Sequence, residues 1–275
     1  MRRRTKSKVL LSDRSSNSLN TDSDHHPAVT LQGRAALVTG AAKGIGRAIA
    51  FTLAEKGADI AVNYLHSKAD ALKVVNDIES KGRKALAIKA DVTSEEDVTL
   101  LVQEVHAHFG RLDILVNNVG DWITKDVEAM SLGEWRRILD TSVTAAFLCS
   151  RQVLPIMKKQ KWGRIVNLAA AGAYRAHGAS GMSAFYAAKA GVVAFTKSLA
   201  REVGRSGITV NAVAPGVVMD KERTVKEALE VKDDQTSVGR PGTSWDVAAA
   251  VAFLVSDEAG FVTGDVINVN GGWLI

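Results

Sequence analysis

From residue 34 to the end, short apolar runs alternate with stretches of helical spacing, and that pattern limits the chain to one class of fold. Ala35–Thr39, Asp59–Asn63, Lys84–Lys89, Leu112–Val116, Arg164–Leu168, Thr209–Val213 and Val266–Val269 read as seven strands. They are short continuous apolar runs, as strands buried on both faces are. Between them, Ile45–Lys56, Lys68–Lys81, Ser94–Phe109, Leu132–Lys159 (with Pro155 near its end), Ala184–Val203 and Trp245–Val255 carry helical spacing. Gly57 stands where a C-cap belongs. Right-handed crossovers return each strand beside its predecessor, so this alternation predicts a parallel sheet with helices on both faces. The expected architecture is α/β, a single doubly wound domain over residues 31–275.

The 275 residues are 46 % hydrophobic and 24 % charged, which excludes a disordered or collagen-like chain. One cysteine, Cys149, excludes a disulfide framework and a cysteine-based zinc site. Apolar runs such as Val247–Val255 fall far short of the ~20 residues that span a bilayer. A soluble cytoplasmic protein is expected. The net charge of +5 is uneven, with +3 in residues 1–30 and +2 in the rest, so it argues for no nucleic-acid surface on the folded part. Residues 12–26, SDRSSNSLNTDSDHH, contain one leucine as their only apolar residue. Such a stretch buries too little to offset its ordering entropy. Residues 1–30 therefore read as a dispensable disordered tail, with a targeting or docking role as the alternative.

Directly after the first strand comes Thr39-Gly40-Ala41-Ala42-Lys43-Gly44-Ile45-Gly46, then a helix. Glycines there allow a tight turn and let backbone approach a pyrophosphate, while the helix start offers unpaired N–H groups and a positive dipole end. The G-x-x-x-G-x-G spacing is joined, in order, by Asp91-Val92, Asn117-Asn118-Val119-Gly120, Tyr186-Ala187-Ala188-Lys189 and Pro215-Gly216. On these motifs residues 34–275 resemble the short-chain dehydrogenase/reductase family, in the branch of 3-oxoacyl-acyl-carrier-protein reductases and glucose dehydrogenase-like enzymes. The resemblance implies a Rossmann-like fold, a nicotinamide cofactor, a carbonyl or alcohol substrate and a homotetramer or homodimer. It also implies that Asp91 and Val92 lie at the adenine, that Asn117 fixes the fourth-strand turn, and that Gly120, Pro215 and Gly216 line the cofactor. Asp91 as an ordinary helix N-cap is the alternative.

Which dinucleotide is bound turns on the end of the second strand. Asp59 lies at its N-terminal start, whereas ligands bind beyond the C-terminal ends of strands. Asn63 and Tyr64 stand at the binding end, with no carboxylate there to repel a 2′-phosphate. Lys43 in the glycine turn can attract one, so NADP(H) is expected over NAD(H), with Lys43 as a merely solvated charge the alternative.

Tyr186 and Lys189 are three apart and share a helix face. A nearby ammonium favours the phenolate and brings a group of pKa near ~10 closer to the range useful for acid–base work. The resemblance reads its Y-x-x-x-K pair onto these residues, with Tyr186 protonating the carbonyl oxygen and Lys189 tuning it and holding the nicotinamide ribose. Two positions depart from the family. Its serine donor is replaced by Ala170, and Ser142 stands where its asparagine holds a water. Losing one preorganised donor to an oxyanion costs ~2.7–4 kcal/mol. Ser180 is a candidate substitute on reach, while Ser183 falls where a helix N-cap belongs.

Asp121 and Asp220 hint at a polar substrate, cationic or hydroxylated, with two solvated loop aspartates as the alternative. Residues 220–239 read as a polar lid helix, and Trp273-Leu274-Ile275 as an apolar end buried against another subunit. The leading reading is an NADP(H)-dependent ketoreductase. A non-redox enzyme on the same scaffold and a cofactor-binding pseudoenzyme are the alternatives.

Overall fold

The computed structural model describes residues 30–175, 177–218 and 221–273. The readings placed on the tail, on Asp220 and on Leu274-Ile275 lie outside the described residues.

Seven strands form one sheet: β1 (Ala35–Val38), β2 (Asp59–Tyr64), β3 (Ala85–Lys89), β4 (Ile114–Asn117), β5 (Gly163–Leu168), β6 (Ile208–Pro215) and β7 (Val266–Val269). Their order is β3-β2-β1-β4-β5-β6-β7, with every neighbouring pair parallel. The chain moves outward one way from β1 to β3 and then the other way from β4 to β7. The crevice between the C-terminal ends of β1 and β4 is thus the topological switch point where such sheets bind ligands.

The helices are α1 (Gly44–Glu55), α2 (Lys68–Glu79), α3 (Glu95–Phe109), α4 (Leu132–Leu139), α5 (Ala145–Gln160), α6 (Ala171–Tyr174), α7 (Ser183–Val203), α8 (Val225–Leu229) and α9 (Ser244–Leu254). Alternate residues of each strand serve opposite layers. Ala36, Val38, Ile60, Val62, Ile114 and Val116 pack with α1, α2 and α9. Leu37, Ala61, Leu115, Ile165 and Val210 pack with α3, α5 and the C-terminal half of α7. Burial on both faces is why the strands are apolar throughout rather than alternating.

Three expectations need correction. The long helix over 132–159 is divided by a π-helical turn, Asp140–Thr144, into α4 and α5. The lid helix is only the five residues of α8, with a Thr224–Glu227 capping box at its start. The short helix α6 follows β5, where no helix is predicted; four residues give no period to read.

The N-terminal ends of the central strands are fastened by charged side chains. Asp113 is fully buried and accepts from the Ala35 N–H at 2.9 Å and from Arg111 at 2.6 and 2.7 Å. Asp59, at the same end of the strands, accepts from Arg83 at 2.6 Å and from the Lys84 N–H at 3.1 Å. It is spent on structure, away from the ligand end, as its strand position implies.

Candidate active site

The turn between β1 and α1 is shaped by what its glycines allow. Gly40 and Gly44 have φ of +60° and +56°, a region that side chains disfavour. A Cβ on Gly46 would lie 2.5 Å from the Gly40 carbonyl oxygen and 2.6 Å from Asn118 Nδ2, so the turn closes on itself there. Lys43 precedes α1 without giving a side-chain cap, and the first turn of α1 has no acidic residue. Its leading N–H groups and positive dipole end are left to an anion. Gly40, Lys43, Gly44, Ile45 and Gly46 thus form a cradle that fits the phosphates of a dinucleotide. The stem of Lys221 lies over it, its Cδ 3.0 Å from where a Cβ on Gly44 would stand, and Arg47 pairs with Glu222 beside it.

Three polar side chains hold that turn. Asn63 is buried; its Oδ1 accepts from the Gly40 N–H at 3.2 Å and its Nδ2 donates to the Ala90 carbonyl at 3.1 Å. Both ends of the Asn63 amide are spent on backbone, so it acts on a cofactor through the turn it positions. Asn118 Nδ2 donates to the Thr39 and Gly40 carbonyls at 2.9 and 3.2 Å, while the Thr39 hydroxyl accepts from the Asn118 and Val119 N–H groups at 2.9 and 3.2 Å. The turn after β4 is therefore tied to β1 by Asn118 and Thr39, not by Asn117. Asn117 donates instead to Asn167 at 2.8 Å and Ser150 at 3.2 Å, and Asn167 donates to Thr196 at 2.9 Å. That buried chain joins β4, β5, α5 and α7. The Asn-Asn doublet was the available signal for Asn118.

After β3, the Asp91 carboxylate accepts from the Thr93 N–H and hydroxyl at 2.9 and 2.7 Å. Val92 is buried behind it. The N-cap of α3 is Ser94, which accepts from the Asp97 N–H at 3.3 Å, so the capping alternative for Asp91 fails. Asp70, in the first turn of α2, pairs with Lys43 at 3.0 Å.

The β5–α7 end gathers the remaining groups. Lys189 is 5 % exposed and donates to the Leu168 carbonyl at 2.6 Å. Burial lowers its ammonium pKa to about 8. A Cβ on Gly120 would stand 2.9 Å from Lys189 Nζ and 3.5 Å from Ser142 Oγ, so both groups converge on that glycine. The Ser142 hydroxyl, on the π-helical turn, is buried and has no partner among the described residues. The Tyr186 hydroxyl faces the segment after β5: a Cβ on Gly172 would meet it at 2.5 Å. Ala170 is the residue preceding α6 in that segment.

Other candidates are placed elsewhere. Ser180 is exposed, with its hydroxyl toward Asp126 at 3.4 Å, and is not brought to Tyr186. Met182, not Ser183, occupies the N-cap of α7, and the Ser183 hydroxyl is buried without a partner among the described residues. Asp121 pairs with Arg137 at 3.1 Å, with both side chains still reaching solvent. Gly216 donates to the Val269 carbonyl at 2.9 Å, and a Cβ on it would meet Asn270 at 2.9 Å, so the Pro215-Gly216 turn packs tightly at the end of β7.

Residues 40–274 match the family model described as enoyl-(acyl carrier protein) reductase. The 3-oxoacyl-[acyl-carrier-protein] reductase FabG of Staphylococcus aureus is 44 % identical over 243 residues, covering 87 % of this chain and 97 % of that protein. The chain belongs to the short-chain dehydrogenase/reductase family. The FabG of Pseudomonas aeruginosa is 40 % identical over 248 residues, covering 89 % of this chain and 98 % of that one. A short-chain dehydrogenase from Burkholderia cenocepacia, solved in complex with NADP, superposes with a TM-score of 0.79 at 37 % identity, covering 88 % and 98 % of the two chains. A metagenomic blue fluorescent protein in complex with NADPH gives 0.80 at 33 %, covering 90 % and 100 %.

This short-chain dehydrogenase/reductase departs from the Y-x-x-x-K spacing by one residue. Tyr186 and Lys189 enclose two residues, and Phe185 is the aromatic four before the lysine. One step along a helix turns a side chain through about 100°. Accordingly the Phe185 ring lies beside Lys189, its centroid 5.9 Å from Nζ, while Tyr186 reaches toward Gly172. The tyrosine hydroxyl thus lies against the segment after β5 that begins at Ala169 and Ala170.

Proposed function

We propose that the chain reduces the 3-oxo group of an acyl thioester to the alcohol with NADPH. The observation that carries this reading is the convergence of buried Lys189, Ser142 and Gly120 beside the strand ends, with Tyr186 on the same helix. Similarity to the 3-oxoacyl reductases supports the substrate class, and the NADP and NADPH complexes of similar structures support the cofactor. The glycine turn, with Lys43, holds the phosphates; Asp91 and Val92 border the adenine; Gly120, Lys189, Pro215 and Gly216 border the nicotinamide ribose. The bound cofactor supplies hydride to the carbonyl carbon. Tyr186 donates its phenolic proton to the carbonyl oxygen, while the Lys189 ammonium, beside Phe185 and Gly120 rather than the phenol, holds the nicotinamide ribose. Ser142, unpartnered and beside Lys189, holds the water through which that proton is replaced. Self-association into a homodimer or homotetramer, supported by exposed Phe253 and Phe261, and a cytoplasmic location complete the reading. Light scattering reads the first. No helix among the described residues is long and apolar enough to cross a membrane.

The test is consumption of NADPH with a short 3-oxoacyl thioester. NADPH that binds but is consumed with neither this nor a panel of other carbonyls would overturn the redox reading.

Two results are expected at single residues. Lys43→Ala weakens NADPH binding about tenfold, the scale of one hydrogen bond to a charged group, and NADH binding less than twofold. Equal losses in a fluorescence titration would remove Lys43 as the 2′-phosphate contact. For Lys189, kcat falls as pH rises through about 8, where the ammonium loses its proton. In the unfolded chain this lysine titrates near ~10.4. As pH falls from there to 8 the unfolded state takes the proton first, so Lys189 progressively destabilises the fold, and the penalty is complete below 8. Lys189→Met is then expected to be more stable at pH 7 by on the order of 2 kcal/mol, while losing activity. Denaturant melts at pH 7 and 10 check the sign.

A further inference from the structure

Lys43 is not free. Its ammonium is 3.0 Å from Asp70 Oδ2, a bridge from the phosphate turn after β1 to the first turn of α2. Both side chains keep contact with solvent, at 62 % and 46 % exposure, so the pair can open at small cost. Ser67, at the N-cap of α2, makes no side-chain cap bond, and Asp70 is the acidic residue that complements that helix end. A dianionic 2′-phosphate approaching Lys43 must therefore displace one carboxylate and then lie beside it. A ribose hydroxyl carries no such charge and meets no such opposition.

We propose that Asp70 sets the cofactor preference: by holding Lys43 it competes with the 2′-phosphate of NADPH and leaves the site open to NADH. The proposal rests on Lys43 as the 2′-phosphate contact and names the residue that moderates it. Asp70 touches neither cofactor nor substrate in this scheme; it acts through its hold on Lys43.

The experiment is a fluorescence titration of the full chain with NADPH and NADH in four forms: unaltered, Asp70→Asn, Lys43→Ala and the double variant. Asp70→Asn is expected to tighten NADPH binding three- to tenfold and to change NADH binding less than twofold. The gain is expected to shrink as salt is raised, because the groups are exposed and screened. It is also expected to vanish in the Lys43→Ala background, the signature of two residues acting as a coupled pair. An unchanged NADPH-to-NADH ratio in Asp70→Asn, with Lys43→Ala still selective against NADPH, overturns the role of Asp70 and leaves Lys43 standing. A gain that persists without Lys43 also overturns it. Equal weakening of both cofactors by Lys43→Ala is the separate failure of the reading beneath it.

Discussion

Tyr186→Phe is expected to lower kcat by ~10²–10⁴-fold, the range for removal of a positioned acid, while NADPH binding stays within twofold. The hydroxyl is the only atom lost, and it packs against Gly172 without a hydrogen bond that holds the fold among the described residues. Stability is thus little changed, and a loss of rate reports chemistry. A kcat within twofold of the unaltered chain would remove Tyr186 as the acid. Its neighbour provides the complementary arm. In the double variant Phe185→Tyr, Tyr186→Phe the hydroxyl moves to the ring that already lies beside Lys189. That variant is expected to regain part of the lost rate, since the acid then stands next to the ammonium that stabilises its conjugate base.

Gly46→Ala is expected to abolish measurable NADPH binding, a loss of at least about 100-fold, in a chain that retains its circular dichroism. The added methyl would sit 2.5 Å from the Gly40 carbonyl oxygen and 3.0 Å from Ala41 Cα, both backbone atoms of the turn that cradles the phosphates. Backbone cannot rotate out of the way as the end of a long side chain can, so the turn must open and its N–H groups lose their aim. Gly133→Ala is the control. It places the same methyl on a helix where the nearest atom, Ser131 Oγ, is 3.9 Å away. Retained NADPH affinity in Gly46→Ala would show that the phosphates lie elsewhere.

The strands and long helices were legible because burial on both faces writes itself as continuous apolar runs, as in Ala35–Val38 and Ile114–Asn117. The glycine turn was legible for the same kind of reason: few sequences tolerate two positive-φ positions in so short a span. What stayed hidden depends on distances across the chain. Nothing in the sequence near Asn63 says that its amide is used up on Gly40 and Ala90. Nor does the sequence near Lys43 say that Asp70 reaches it from the next helix. Ser183 has the right residue type for a cap, yet α7 begins one residue early and buries its hydroxyl. The one-residue offset of Tyr186 is visible in the sequence, but its effect is visible only in where the two rings point.

The π-helical turn at Asp140–Thr144 has a further consequence. It is one surplus residue wound into what would otherwise be a single rod, and it resets the angular phase of everything after it. Before it, Ile138 faces α7 alongside Ala184 and Ala188; after it, Ala145, Leu148 and Cys149 face the sheet and α3. The rod can thus serve two partners that lie in different directions, with no proline at the turn itself. Excising one residue from the turn would straighten the phase, and either α7 or the sheet would lose its mate. Ser142 sits inside that dislocation, so the same defect that reconciles the two packings also delivers a hydroxyl to the lysine.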